Sequence, residues 1–161
     1  MIGSALAGAI LILVASAPGG MDVPASPPAR VSPRASDPTA REAADAYLRQ
    51  IYAVYFSIRG CTEASLAHRK AEFLPSVSLD EARRTMRNVD SAAKEVGIDT
   101  DRIWAAVGPV GVITAEALKA DTAENIANCA LVGGVFRIDL GNLQNVLHAL
   151  GSTRALIEKD F

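Results

Sequence analysis

The two cysteines have the clearest chemistry in this sequence. Cys61 and Cys129 are the only cysteines of the 161-residue chain. In an exported protein, two cysteines most simply form one disulfide, whereas in a reducing compartment they would be small core residues. No Cys-x-x-Cys motif, neighbouring histidine or cationic cluster accompanies either residue, so neither is expected to be a reactive or metal-binding thiol. We predict a Cys61–Cys129 disulfide, which closes a loop of about 68 residues and stabilises the fold by roughly 4 kcal/mol in the chain-entropy model.

The other acids, bases and nucleophiles do not form a recognisable catalytic set. His68 and His148 have neither His-x-x-x-His nor Glu-x-x-His spacing, which favours surface or capping roles over metal ligation. Ser65 lies at helical spacing from His68, but no strand–turn–helix elbow surrounds it. Asp99 and Asp101 flank a predicted helix start, where capping explains them. We therefore predict no catalytic residue, no metal site and no cofactor, and hence a protein that is not an enzyme.

Aromatic and arginine side chains form the candidate partner surface. Tyr55 falls on the apolar stripe of the first predicted helix, whereas Tyr52 and Phe56 lie one turn apart on a neighbouring face. Either this helix is central and buried on more than one side, or Tyr52 and Phe56 form an exposed binding patch. Three arginines share the outer side of the second predicted helix, which is either an ordinary solvated face or a contact for an acidic partner or anionic lipid. The candidate surface comprises Tyr52, Phe56, Arg83, Arg84 and Arg87.

The composition predicts a folded helical protein without a nucleic-acid role. Hydrophobic residues make up 50% of the chain and charged residues 21%, so a buried core is expected. Aromatic residues are only 5%, which favours helices packed through small side chains over a β-sandwich. The formal net charge of -2 gives no basic field for binding nucleic acid.

The first 37 residues have the pattern of a leader and a linker. Residues 1–17 are uncharged, and their apolar run, Ala5–Ala15, has the length of a signal-peptide core but is too short for a membrane span. Ala15-Ser16-Ala17 suits a signal peptidase, although no basic residue precedes the core and Pro18 follows the cut. We expect a signal peptide or a short N-terminal anchor, able to associate transiently with a membrane; the alternative is a true start at Met21. Residues 18–37 hold most of the eight prolines and are predicted to be a Pro/Ala/Ser-rich linker.

Capping and periodicity predict the first three helices. Ser36 or Asp37 can cap a helix that starts at Pro38, and apolar residues then recur every three or four positions. A helix that continues through Gly60 puts Cys61 on its buried face. A capping box at Ser78–Glu81 opens a second helix that Gly97 ends. Asp99 or Thr100 caps a short third helix, which is expected to end at residues 108–111 (Gly-Pro-Val-Gly).

The remaining sequence predicts further helical segments. Residues 112–120 are expected to form a helical turn or two. A second capping box, at 121–124, opens a helix that contains Cys129 and ends at Gly133–Gly134. An extended loop is expected at 135–140, a helix at 140–150, and a last short helix capped by Ser152. The predicted fold is all-α: a small orthogonal or irregular bundle of about five helices at residues 38–161, with one disulfide.

The order of these parts resembles small exported bacterial helical proteins with two cysteines. They have an aromatic-rich first helix that ends in a cysteine, here YAVYFSIRGC at 52–61, and a second cysteine in a late helix, here ENIANC at 124–129. Immunity proteins that protect bacteria from secreted effectors are broadly similar. The resemblance implies a periplasmic or secreted binding protein with an unknown protein partner in the cell envelope, and it transfers no functional residue. The alternatives are an immunity-type inhibitor, a carrier of a small apolar ligand, or a small hydrolase-like enzyme.

Overall fold

The described part of the chain, residues 38–157 of a computed structural model, is built from helices. The predicted leader and linker lie outside the described residues. Within 38–157 there is no β-strand, so the prediction of an all-α fold is confirmed. The elements are α1 (Pro38–His68), a 3-10 turn (Ala71–Phe73), α2 (Leu79–Glu95), α3 (Thr100–Ala117) and α4 (Ala123–Ala149).

Helix α1 is the central element, and both α3 and α4 pack along it. It continues without a break through Gly60, which is the condition under which the sequence puts Cys61 on the buried face. A Cβ at Gly60 would lie 2.6 Å from the carbonyl oxygen of Ala115, so the absent side chain is what lets α3 approach α1 so closely. One turn earlier on α1, the Phe56 ring occupies the space that a side chain at Gly111 of α3 would fill.

The predicted disulfide joins α1 to α4. Cys61 and Cys129 are fully buried, with an S–S distance of 2.00 Å and Cα atoms 5.6 Å apart. Each cysteine lies on the core face that helical periodicity predicts for it. A side chain at Gly133, one turn further along α4, would overlap Ser76, so α4 also lies close against the segment that precedes α2.

The helix starts predicted at Ser78, at Asp99 or Thr100, and within residues 121–124 are confirmed. Ser78, Asp99 and Thr122 each accept a hydrogen bond through the side-chain oxygen from the backbone N–H three residues later, at 3.0–3.1 Å. Gly97 has a φ of 74°, the left-handed conformation typical of a residue just after a helix. Asp121 does not cap α4, because its carboxylate pairs with Lys70 at 2.6 Å.

The helix ends predicted at residues 108–111 and at Gly133–Gly134 are wrong. Helix α3 continues through Pro109 to Ala117. Its later part is held by the packing of Gly111 against α1. Pro109 cannot donate a hydrogen bond to the carbonyl of Ala105, but Ala105 is on the exposed side of the helix. Helix α4 continues through Gly133 and Gly134, since the close contact with Ser76 requires a glycine there. The predicted extended loop at 135–140 is therefore helical.

The number of helices is four in the described residues instead of about five. Two predicted helices merge into α4, and residues 152–157 form no helix. Ser152 does not cap a helix but donates its hydroxyl to Glu95 at 2.8 Å. Gln144 accepts a hydrogen bond from the backbone N–H of Leu156 at 2.6 Å, which fixes this segment against α4.

Candidate functional site

A cleft of about 430 Å³ lies between α1, α2 and α3. Its walls combine aromatic side chains, a methionine, two arginines, two aspartates and a threonine. The lining residues are Tyr52, Tyr55, Arg83, Met86, Arg87, Asp90, Thr100, Asp101 and Trp104. We refer to it below as the aromatic–arginine cleft.

Helix α2 supplies the charged wall. Arg83, Arg87 and Asp90 are spaced by four and three residues, so they stand above one another on one face of the helix. The opposite face of α2, which includes the fully buried Val89, packs into the core. Arg84 is exposed and is not among the residues that line the cleft.

The aromatic wall is layered, with Trp104 outermost. The Trp104 ring stacks on Phe56 and meets Tyr52 edge to face, with ring centroids 5.1 Å apart in both pairs. Trp104 is 39% exposed, whereas Tyr52 and Phe56 are 1% and 4% exposed. This burial agrees with a first helix buried on more than one side, the first of the two interpretations of Tyr52 and Phe56.

A hydrogen bond connects the buried aromatic layer to α2. The Tyr52 hydroxyl donates to Asp90 Oδ1 at 2.6 Å. Burial raises the pKa of Tyr52 far above its ordinary value of 10.0, and the hydrogen bond to Asp90 and the charge of that carboxylate raise it further. The neighbouring Thr100 acts weakly in the opposite direction. Tyr52 therefore remains protonated and holds the Asp90 carboxylate in one orientation.

Two polar groups of the cleft have no partner in the described part of the chain. Thr100 is 2% exposed, and its hydroxyl lies close to that of Tyr52 but makes no hydrogen bond of good geometry to any residue of 38–157. The guanidinium of Arg87 forms neither an ion pair nor a hydrogen bond with these residues. Buried polar groups are normally satisfied, so an unpartnered hydroxyl in the same cleft as a free cation indicates a place where a ligand can bind.

The other charged groups of the cleft already have partners. Arg83 donates to Asp80 at 3.1 Å, and the nearby Tyr55 hydroxyl is the largest influence that raises the pKa of its guanidinium. Asp101 pairs with Lys94 at 3.4 Å on the exposed rim. The cleft thus presents charges of both signs together with an apolar aromatic surface.

The titratable side chains of the cleft are arginines, aspartates and tyrosines. Among its lining residues there is no serine, cysteine or histidine. No cluster of three or more His, Cys, Asp or Glu residues within 38–157 could hold a metal ion.

The structure brings three of the five residues of the candidate partner surface into one cleft. Tyr52, Arg83 and Arg87 line it, Phe56 lies directly behind Trp104, and Arg84 is outside it. Sequence reasoning missed Trp104, Thr100 and Asp90. A usable signal for Asp90 was present, because it follows Arg83 and Arg87 at the spacing of one helical face.

The two histidines lie elsewhere. His68 Nε2 is 2.7 Å from the carbonyl oxygen of Lys119, which ties the end of α1 to the residues after α3. His148 contacts Gln144 and lines a depression of about 680 Å³ at the end of α4. Among the described residues that line this depression there is no carboxylate, which the hydrolase hypothesis would need beside a histidine.

No helix in the described range combines the length and the apolar character needed to cross a bilayer. Comparisons of the chain with protein-family models, with curated proteins and with solved structures found no match.

Proposed function

We propose that the protein is a non-enzymatic binding protein of the cell envelope, periplasmic or secreted, that engages its partner through the aromatic–arginine cleft. The observation that supports this most is the combination of the unpartnered Arg87 guanidinium with the half-exposed Trp104 ring. Arginine and tryptophan are the residue types enriched at the energetic centres of binding sites. The partner is a component of the envelope, with an unidentified protein as the first candidate.

The buried disulfide supports the location. Disulfides form and persist in oxidising compartments and are rare in the cytosol. In this proposal residues 1–17 direct export, as a cleaved signal peptide or a short anchor that touches the membrane, and residues 18–37 form a tether. Thiol labelling of the denatured protein taken directly from cells tests this. Full resistance to labelling before reduction is expected, and two free thiols would contradict export.

A pair of arginines on α2 provides a matched test of the binding site. Arg87 lines the cleft and Arg84 does not, although the two lie on the same helix and both are exposed. Arg87→Glu and Arg84→Glu change the net charge equally, so a general electrostatic effect weakens both variants alike.

The measurement is quantitative capture of envelope components on immobilised wild-type protein and on each variant. We expect at least one component that binds the wild type and Arg84→Glu but is lost with Arg87→Glu. Equal capture by all three proteins would contradict a binding role of the cleft.

A carrier of a small ligand is a second candidate, supported by the size of the cleft. Its volume of about 430 Å³ lies within the range of roughly 300–1,000 Å³ that is usual for small-molecule sites. The charged wall favours a ligand with polar ends over a wholly apolar one, because an apolar ligand would desolvate Arg87 and Asp90 without replacing their contacts with water.

A further inference from the structure

We infer that the aromatic–arginine cleft binds the zwitterion of a free α-amino acid with an aromatic or large apolar side chain. The inference rests on the second candidate of the proposed function, a carrier of a small ligand, because it names the ligand of the same cleft. Three observations support it: charges of both signs around a free cation, an unpartnered buried hydroxyl, and an aromatic wall with an exposed edge.

The charges favour a zwitterion over a simple ion. A ligand with one negative charge would meet Asp90 and Asp101 as well as the arginines, and one with one positive charge would meet Arg83 and Arg87. A free α-amino acid carries an ammonium group and a carboxylate on neighbouring atoms, so it can satisfy both signs at once.

Arg87 and Asp90 provide two such poles at a suitable separation. They lie one turn apart on α2, where Cβ atoms are about 5–6 Å apart, yet they form no ion pair with each other. Asp90 is held instead by the Tyr52 hydroxyl, which leaves Arg87 free. A ligand carboxylate on Arg87 and a ligand ammonium on Asp90 would complete both contacts without moving Tyr52.

Thr100 supplies the second contact for the carboxylate. Its hydroxyl is buried and unpartnered, and it stands at the N-terminal end of α3. A hydroxyl can donate to a carboxylate, and the helix dipole favours negative charge at this end.

The side chain of the ligand would lie against Trp104, Tyr55 and Met86. These residues form the apolar part of the lining, and the Trp104 ring already stacks on Phe56 on its inner side. Its partly exposed outer surface can accept another ring, which makes phenylalanine a suitable probe.

Trp104 is the only tryptophan of the chain, so its fluorescence reports binding in the cleft directly. The experiment is a titration of the oxidised protein, with selective excitation of tryptophan, using phenylalanine, phenylalaninamide and N-acetylphenylalanine. The amide keeps the ammonium but lacks the carboxylate, and the acetylated form keeps the carboxylate but lacks the ammonium. We expect saturable binding of phenylalanine and affinities at least about tenfold lower for both blocked forms, since each loses a charge-assisted hydrogen bond.

Three variants assign the contacts. Arg87→Gln removes the partner of the ligand carboxylate and is expected to abolish the preference for phenylalanine over phenylalaninamide. Asp90→Asn removes the partner of the ligand ammonium and is expected to abolish the preference for phenylalanine over N-acetylphenylalanine. Thr100→Val is expected to weaken phenylalanine binding without lowering the unfolding midpoint. Arg84→Gln, the control, is expected to bind like the wild type.

Several results would overturn the inference. These are no saturable binding of phenylalanine at millimolar concentrations, equal binding of either blocked form, or an equal loss with Arg84→Gln and Arg87→Gln. If phenylalanine fails to bind while Arg87→Glu still loses an envelope component that Arg84→Glu retains, the amino-acid ligand is wrong and the proposed function stands. If the two glutamate variants also behave alike, both are wrong.

Discussion

Gly60→Ala tests the close approach of α1 and α3, on which the aromatic–arginine cleft depends. A Cβ at this position would lie 2.6 Å from the carbonyl oxygen and 2.8 Å from the Cα of Ala115. Both are backbone atoms, so no side-chain rotation relieves the overlap. The substitution therefore requires α3 to move away from α1, and this displacement also loosens the contact between Phe56 and Gly111 one turn away.

The expected effect is a net loss of about 2 kcal/mol in the free energy of unfolding. Alanine is favoured over glycine inside a helix by about 1 kcal/mol. Overpacking of a well-packed contact costs about 1–3 kcal/mol, and a backbone clash belongs at the upper end of that range. At about 2–4 °C per kcal/mol for a chain of this size, the melting temperature should fall by about 4–8 °C.

The assay is equilibrium unfolding in urea of the oxidised protein, followed by the fluorescence of Trp104. Gly134→Ala is the matched control, because it makes the same change inside α4, where no described atom apart from the adjoining backbone of α4 lies within 4 Å of the added Cβ. This control should gain up to about 1 kcal/mol in the free energy of unfolding. A Gly60→Ala protein as stable as the wild type, or a control destabilised to the same degree, would refute the reasoning.

Three further predictions concern stability. Replacing both Cys61 and Cys129 by alanine should lower the free energy of unfolding by roughly 4 kcal/mol, measured in urea; an unchanged midpoint would show that the disulfide does not stabilise the fold. Burial raises the pKa of Asp139 above 3.8. The contribution of Asp139 to the free energy of unfolding is therefore most favourable when its carboxyl is protonated, and it is lost as pH rises through the folded-state pKa. Asp139→Asn should therefore stabilise the protein at neutral pH, with the gain shrinking in acid, and a gain that is constant across unfolding curves at several pH values would contradict this. Thr100→Val removes an unpartnered buried hydroxyl and should raise the unfolding midpoint of the ligand-free protein by an amount equivalent to up to about 1 kcal/mol; a clear decrease would mean that the hydroxyl has a partner.

The features predictable from the sequence are those that depend on local interactions. The caps at Ser78 and Asp99 were predictable because a capping side chain and the backbone N–H that donates to it are three residues apart. The pairing of Cys61 with Cys129 was predictable because each falls on an apolar stripe and there is no competing cysteine.

The features that the sequence mispredicts depend on contacts between distant segments. Gly111 and Gly133 look like helix ends when only their neighbours are considered. In the structure each allows a close contact, Gly111 with Phe56 and Gly133 with Ser76. The helix continues on both sides of each glycine. At these two glycines, tertiary packing therefore determines the helical conformation, although glycine has a low intrinsic helix propensity.

The candidate site was predictable only in part. Arg83 and Arg87 stand out because they lie on the polar face of an amphipathic helix. Trp104 and Thr100 come from α3, and only the packing of α3 against α1 brings them to α2. No spacing rule relates Arg87 to Thr100, so the unpartnered hydroxyl could be found only in the structure.

Site-specific photo-crosslinking in living cells tests the central claim, binding through the aromatic–arginine cleft, most directly. A photoreactive phenylalanine analogue is placed at position 104, at the mouth of the cleft, or at position 113, where Ile113 is 69% exposed on another face of the same helix. We expect a discrete crosslinked product at position 104 and none at position 113. Crosslinking at position 113 alone, or identical products at both positions, would contradict it.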